Sequence, residues 1–357
     1  MRDVLTRQLR HRQSAKPIAI CSSARGRLIL LLGAILLGNL GAWLWALLEF
    51  GDQPAMLAIA LVVFGLGLRH ALDADHIAAI DNVTRKFMQE GRKPIAVGFF
   101  FALGHSSIVC LMTALVAYLT ISLDRFDAYR ELGGTISLLI SVMFFICVAA
   151  MNMSILRSLF QSLSSLRRDR TAVGQQQGEI CTGLLIRLLR PVFGLITRSW
   201  HMFPLGFLFG LGFDTATEVA LFGVSAAQIA HGFSFAQVLV IPALFAAGMS
   251  LVDTLDGVAM LGVYGWAAEN PRRKIGYNAV ISAVSLVVSV LIGGAGLSGL
   301  LQGFTPLPTI LTRLVGDVGS SINGIGIAMV STLLAAWFVS RILLGRRSAA
   351  EPSRALD

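Results

Sequence analysis

Long apolar runs alternate with short polar segments along the whole chain. A helix needs about 20 consecutive apolar residues to cross a hydrocarbon core of roughly 30 Å, and eight runs reach that length. They are residues 28–48, 56–80, 95–120, 134–156, 202–225, 236–263, 277–300 and 321–344. The pattern predicts an all-α polytopic membrane protein with eight transmembrane helices.

The polar segments between the runs carry nearly all of the basic residues. With the N-terminus in the cytoplasm, 25 of the 29 Lys and Arg residues fall on the cytoplasmic side and three on the other. Because segments rich in Lys and Arg stay in the cytoplasm, we predict that both termini lie there. The domains expected are a basic N-terminal tail (1–27), spans one to four (28–156), a basic cytoplasmic linker (157–201), spans five to eight (202–344) and a C-terminal tail (345–357).

Composition excludes several other classes of protein. Hydrophobic residues make up 55% of the chain and charged residues 14%, whereas soluble domains carry about 25% charged residues. The net charge of +9 sits between apolar runs rather than on a wettable fold with aromatic platforms, so no nucleic acid partner is indicated. Four cysteines without a CxxC pair predict neither a disulfide framework nor a thiolate metal site. The first apolar run is too long for a cleaved signal peptide and is interpreted as a retained helix.

The two halves of the chain share short motifs. Residues 64–67 (FGLG) in span two recur as residues 209–212 in span five, 145 positions later. Residues 101–106 (FALGHS) in span three recur as residues 245–250 (FAAGMS) in span six, 144 positions later. An offset of three spans reverses the orientation of the copies. The motifs therefore predict an inverted repeat that relates spans 2–4 to spans 5–7, with a site near the midplane.

Ionisable side chains inside the spans are the candidate functional residues, because each costs about 2.5–3.5 kcal/mol on insertion scales. The candidate metal ligands are His70, Asp73, Asp75 and His76 in span two, His105 in span three, Asp214 and Glu218 in span five, and Asp253 and Asp256 in span six. These candidates include six carboxylates, whereas the spans contain a single arginine, Arg69. Some of these acids must therefore be protonated or face a cation.

The residue types narrow the cation to a transition metal. Imidazole suits Zn, Cu, Fe and Ni, whereas Mg and Ca prefer oxygen ligands alone. At about 100° per residue on a straight helix, Asp73 shares a face with both His70 and His76, but Asp75 lies about 140° from His70. Either the helix unwinds here, eased by Gly65 and Gly67, or one of these residues orients a ligand instead of binding the ion.

Four motifs resemble those of the nickel/cobalt transporter (NiCoT) family of secondary permeases. They are residues 69–77 (RHALDADHI), 100–106 (FFALGHS), 211–219 (LGFDTATEV) and 248–256 (GMSLVDTLD). The one visible departure is conservative, with Val219 where isoleucine is usual. The motifs occur in the family's order, and the resemblance covers essentially the whole chain.

The resemblance implies high-affinity uptake of Ni²⁺, with Co²⁺ second, across a bacterial inner membrane. It further implies that His70, Asp75 and His76 are needed for transport and that Asn39, the only asparagine of span one, contributes to ion selection. The partners expected are the dication and membrane lipid. No enzyme activity, cofactor or ATPase subunit is implied, and the sequence lacks the GxxxxGK[ST] motif of a built-in ATPase.

One alternative belongs to another class of protein. The pair His70-x4-Asp75 also matches the HX4D pattern of membrane acyltransferases, in which the histidine acts as a base and the aspartate orients it. Such a site should lie at the membrane–water interface near basic residues. The acyltransferase reading gives no reason for buried carboxylates in spans five and six.

Overall fold

The structure is a computed structural model. It describes residues 22–119, 123–168, 195–211, 216–268, 271–302, 324, 326–328 and 331. The helices are α1 (Ser22–Phe50), α2 (Pro54–His70), α3 (Ala74–Gln89), α4 (Val97–Leu119), α5 (Leu123–Arg168), α6 (Met202–Phe209), α7 (Ala216–Ala230), α8 (Phe235–Ala268) and α9 (Pro271–Gln302). One 3₁₀ turn precedes α6, and these residues contain no strand. The predicted all-α class is therefore confirmed.

Five helices are long and apolar enough to cross a membrane. They are α1, α4, α5, α8 and α9, and they match predicted spans one, three, four, six and seven. Predicted span two is the pair α2–α3, which is bent by 50° at a short break and counts as a sixth candidate. Predicted span five consists of α6 and α7 with residues 212–215 outside the described part, and most of predicted span eight also lies outside it.

The helices divide into an outer and an inner set. On α1, leucines such as Leu30, Leu37 and Leu48 are more than two-thirds exposed, as is expected of a face in contact with lipid. Helix α3 is different, because it is buried along nearly its whole length and packs against α4, α8 and α9. Among the described helices, α3 is therefore an interior element.

Glycines bring helix backbones into close contact at two places that resemble each other. At Gly104 on α4, a Cβ atom would overlap the backbone of Phe203 and Phe207 on α6. At Gly248 on α8, it would overlap the backbone of Phe64 and Leu68 on α2. Small residues at such crossings are typical of helix packing in membranes.

Glycines on the partner helices α6 and α2 make the matching contacts in the opposite direction. Gly206 on α6 approaches the backbone of Phe101 on α4, and Gly67 on α2 approaches that of Phe245 on α8. The contacting residues of α4 and α8 are 144 positions apart, which agrees with the sequence match. Those of α2 and α6 are 139 apart, so the contacts pair Gly67 with Gly206 instead of following the 145-residue match of the FGLG motifs.

Candidate metal site

Span two breaks in the middle of its signature motif. Helix α2 ends at His70, and α3 begins at Ala74 after Asp73, whose backbone is extended (φ −66°, ψ 142°). Of the two alternatives that the sequence left open, the break supports unwinding of the helix, but it lies several residues beyond the two upstream glycines. Gly67 instead allows the close approach to Phe245. Across the break, the rings of His70 and His76 come within 4.7 Å of each other, centroid to centroid.

Three histidines meet beside this break. The ring centroids of His70, His76 and His105 lie 4.7–5.0 Å from one another, and all three residues are at most 3% exposed. One ring nitrogen from each lies within 4.8 Å of the others. His70 is the last residue of α2, His76 is in the first turn of α3, and His105 comes from the middle of α4.

Two carboxylates hold the Nδ1 atoms of two of these rings. Asp73 Oδ2 is 3.1 Å from His70 Nδ1, so Asp73 bonds to the ring instead of capping α3. The carboxylate of Asp253 on α8 lies 3.2 Å from His76 Nδ1. A histidine that donates from one nitrogen to a carboxylate presents the other to a metal, with a fixed tautomer and raised basicity. Asp73 and Asp253 therefore fit the role of orienting groups.

The remaining nitrogens converge with a third carboxylate. His70 Nε2 is 3.1 Å from His105 Nε2, and Glu218 Oε1 on α7 lies 2.9 Å from His105 Nε2 and 3.9 Å from His70 Nε2. His76 Nε2 is buried with no hydrogen-bond partner. Adjacent ligands at about 2.0–2.1 Å from an octahedral ion are separated by roughly 3 Å. The separations of 3.1 and 2.9 Å around His105 Nε2 thus suit neighbouring ligands of one cation.

The walls of the site are aromatic and tightly packed. The Phe101 ring lies 4.9 Å from that of His76, and the Phe245 ring 5.4 Å from that of His70. Gly98 brings the first turn of α4 against the backbone of Asp253. Gly326 packs against the extended backbone at residues 72–74, where a Cβ atom would overlap Leu72 O. The site is thus enclosed and has little room to adjust.

The other predicted site residues lie at different places. Asp75 is partly buried, and its Oδ1 accepts the backbone N–H of His76. Asp256 lies one turn beyond Asp253 on α8, with a buried Oδ2 that has no hydrogen-bond partner. Asp214 lies outside the described residues. Asn39 donates to Ile35 O on its own helix, while its Oδ1 is buried without a partner.

Sequence reasoning missed a buried arginine. Arg85 lies beyond the apolar run 56–80 and belongs to the 25 basic residues predicted on the cytoplasmic side, yet it is 1% exposed and donates to Asn82, Asn152 and Ser282. Asp81, one turn before it, is fully buried and accepts from Tyr264. The signal that was available is the i,i+4 spacing of Asp81 and Arg85, which places them on one face of a helix.

Comparison with known proteins assigns the chain to a family. The family model described as high-affinity nickel-transport protein matches residues 56–343. A high-affinity nickel transport protein of Cupriavidus necator is 45% identical, covering 89% of this chain and 92% of its own. The nickel transporter NixA of Staphylococcus aureus is 41% identical (82% and 86% covered). The cobalt transport protein NhlF of Rhodococcus rhodochrous is 35% identical (88% and 91% covered).

No solved structure matches the chain. The family match extends over most of the sequence and includes every helix that contributes to the histidine cluster. The chain belongs to the high-affinity nickel-transport protein family.

Proposed function

We propose that this multi-pass membrane protein is a secondary permease that takes up Ni²⁺, and Co²⁺ less readily, across the bacterial inner membrane. The observation that carries the proposal is the buried cluster of His70, His76 and His105 at the break of span two. A family relative is named for nickel transport and another for cobalt transport. Both ions are borderline dications that imidazole binds well.

The cluster supports a division of roles among the predicted ligands. His70, His76 and His105 supply nitrogen and Glu218 supplies a carboxylate oxygen, whereas Asp73 and Asp253 orient two of the rings. Asp75 sits in the first turn of α3, where the helix dipole favours an anion. Three neutral imidazoles and one carboxylate leave a dication with net positive charge, which the orienting carboxylates offset.

The ligand types also support the order of preference. No thiolate is present at the cluster, and the described cysteines Cys110 and Cys147 are free. Nitrogen-rich sites favour Ni²⁺ over Co²⁺ modestly in the Irving–Williams order. Strong discrimination must then come from the geometry that the packed walls allow.

We infer an inverted repeat of spans 2–4 and 5–7 within an eight-span topology, with both termini in the cytoplasm. Its support is the reciprocal glycine packing, in which α2 meets α8 as α6 meets α4. Both span two and span five have a helix boundary near the middle, and such discontinuous helices supply ion sites in transporters built from inverted repeats. Span five contributes Glu218 to the cluster.

The geometry does not favour the acyltransferase alternative. His70 Nδ1 is engaged by Asp73, at the atom where a catalytic dyad would need Asp75. The imidazole is 1% exposed and lies deep within the bundle, whereas an acyltransferase base must be reached by a phosphate-bearing substrate at the interface.

The membrane potential alone can drive uptake. A dication that moves inward gains about 4.6 kcal/mol at 100 mV, twice the roughly 2.3 kcal/mol for one charge. This free energy corresponds to an accumulation of more than about 10³-fold. Purified protein in liposomes with an imposed inside-negative potential should therefore accumulate ⁶³Ni²⁺. Accumulation no greater than in protein-free liposomes would contradict the proposed function.

Asn39 is expected to influence which ion is accepted. We propose that its carboxamide, the only one in span one, limits the coordination geometry near the histidines, and its buried unpartnered Oδ1 supports a role beyond the bond to Ile35. A tenfold preference needs only about 1.4 kcal/mol. We expect Asn39→Ala to reduce the preference for ⁶³Ni²⁺ when uptake is measured against excess Co²⁺, Zn²⁺ and Mn²⁺. An unchanged competition profile would leave Asn39 as a helix-packing residue.

A further inference from the structure

A column of buried polar side chains leads from the histidine cluster toward one end of the bundle. It lies between α3, α8 and α9. On α9, Ser282, Ser285 and Ser289 are at most 1% exposed and lie at helical spacing on one face. Ser285 donates to Asp81 on α3 and Ser282 accepts from Arg85, so the face is turned toward α3.

The column contains atoms with no partner. Asp256 Oδ2 and Ser289 Oγ are buried and form no hydrogen bond. Ser289 is one turn from Ser285 on the side of the histidines, and Asp256 is one turn from Asp253, the partner of His76. Asp256 also lies within electrostatic range of Asp81. Buried oxygen atoms without donors cost free energy unless a cation or water meets them.

Arg85 ends the column just before the surface. It follows His76 by nine residues, or about 14 Å along α3, and the helix becomes exposed from Gln89. Its guanidinium holds α3 to Asn152 on α5 and to Ser282 on α9. All of its partners are neutral, and its Nε is buried without a partner. Arg85 thus places a buried positive charge at this end of the column. It forms no direct ion pair with any described residue.

A dication and this guanidinium cannot occupy the column together. Like charges in a buried region repel strongly because little water screens them. Asp81 is the nearest carboxylate on the same helix face, and it interacts electrostatically with Arg85. An ion that arrived at Asp256 and Asp81 would therefore repel the guanidinium and weaken its hydrogen bonds to Asn152 and Ser282.

We propose that the ion leaves the histidine site along this column, past Asp256 and Asp81, and that Arg85 closes the route at its cytoplasmic end. The proposal rests on the proposed transport function and the proposed orientation. The oxygen atoms of the column bind a borderline dication less tightly than imidazole does, which favours release.

The test uses cysteine labelling without metal. Ser289→Cys is placed in a full-length protein whose four native cysteines are replaced by serine, and inside-out vesicles are treated with a membrane-impermeant maleimide. We expect Arg85→Gln to raise the labelling rate by about tenfold or more. The substitution removes the guanidinium that closes the route and its hydrogen bonds to α5 and α9. Arg92→Gln is the matched control, since it removes an exposed arginine near the same end.

Three outcomes would overturn the proposal. These are equal labelling rates with and without Arg85→Gln, an equal increase in the Arg92→Gln control, and labelling only in right-side-out vesicles. If Arg85→Gln does not fold, Asn152→Ala and Ser282→Ala can replace it. Each removes one hydrogen bond of the Arg85 guanidinium and should raise the labelling rate by a smaller factor. Unchanged rates in both would equally contradict the route. A native protein that fails to bind ⁶³Ni²⁺ would refute the transport function while the labelling result still stands.

Discussion

Replacing His76 with alanine is expected to abolish ⁶³Ni²⁺ uptake and to weaken nickel binding by more than about 100-fold. This ring presents a buried Nε2 without a partner, and its Nδ1 is held by Asp253. Its loss removes a ligand and leaves a buried carboxylate without its partner. The expected effect therefore exceeds the 10- to 100-fold typical of losing an orienting group. Uptake in cells and equilibrium binding to purified protein measure it.

His231→Ala is the control for this prediction, because His231 lies exposed in the turn after α7. It should leave uptake and binding unchanged. The amount of protein in the membrane must be equal for both variants. Near-normal uptake by His76→Ala at equal protein would contradict the assignment of the site.

The second large effect is expected for Asp253→Asn. The carboxylate lies 3.2 Å from His76 Nδ1 with no exposed surface, and the amide keeps its size while removing the charge. Without this charge the imidazole is a weaker base and its orientation is less fixed, so nickel affinity should fall by about 10- to 100-fold. Equilibrium binding of ⁶³Ni²⁺ to purified protein is the measurement.

Thr254→Val provides a matched control at the next position of α8. Thr254 is 1% exposed and its hydroxyl has no hydrogen-bond partner, so the exchange alters a buried polar atom without removing a hydrogen bond. Its nickel affinity should stay within about threefold of the native value. Equal losses in both variants would indicate a general disturbance of α8 and would contradict an orienting role for Asp253.

The ionisable residues that the sequence singled out include the three histidines that the structure brings together, because charged and imidazole groups are rare in apolar spans. It also indicated that a straight helix could not direct His70, Asp75 and His76 at one ion, which left either an unwound helix or an orienting role for one of them. The structure breaks the helix at residues 71–73. The hydrogen bonds of Asp73 and Asp253 could not be read from spacing, because they depend on how α2, α3 and α8 pack.

Two features were misjudged for physical reasons. Arg85 was assigned to a cytoplasmic segment because apolar length defined the spans, yet neutral partners on α3, α5 and α9 satisfy its guanidinium inside the bundle. The FGLG motifs suggested an offset of 145 residues, whereas packing follows 139 for α2 and α6. Glycines used for close approach and glycines near a helix break look alike in the sequence.

The most direct test of the central claim is X-ray absorption at the nickel edge on purified protein with one equivalent of Ni²⁺. Three imidazoles should appear as nitrogen ligands near 2.0–2.1 Å, the metal–imidazole distance known for zinc sites, with the scattering pattern of histidine rings. His105 is one of the three clustered histidines. In His105→Ala, the fitted number of imidazole ligands should therefore fall from three to two. A coordination shell of oxygen atoms alone, or one that contains sulfur, would contradict a site built from His70, His76 and His105.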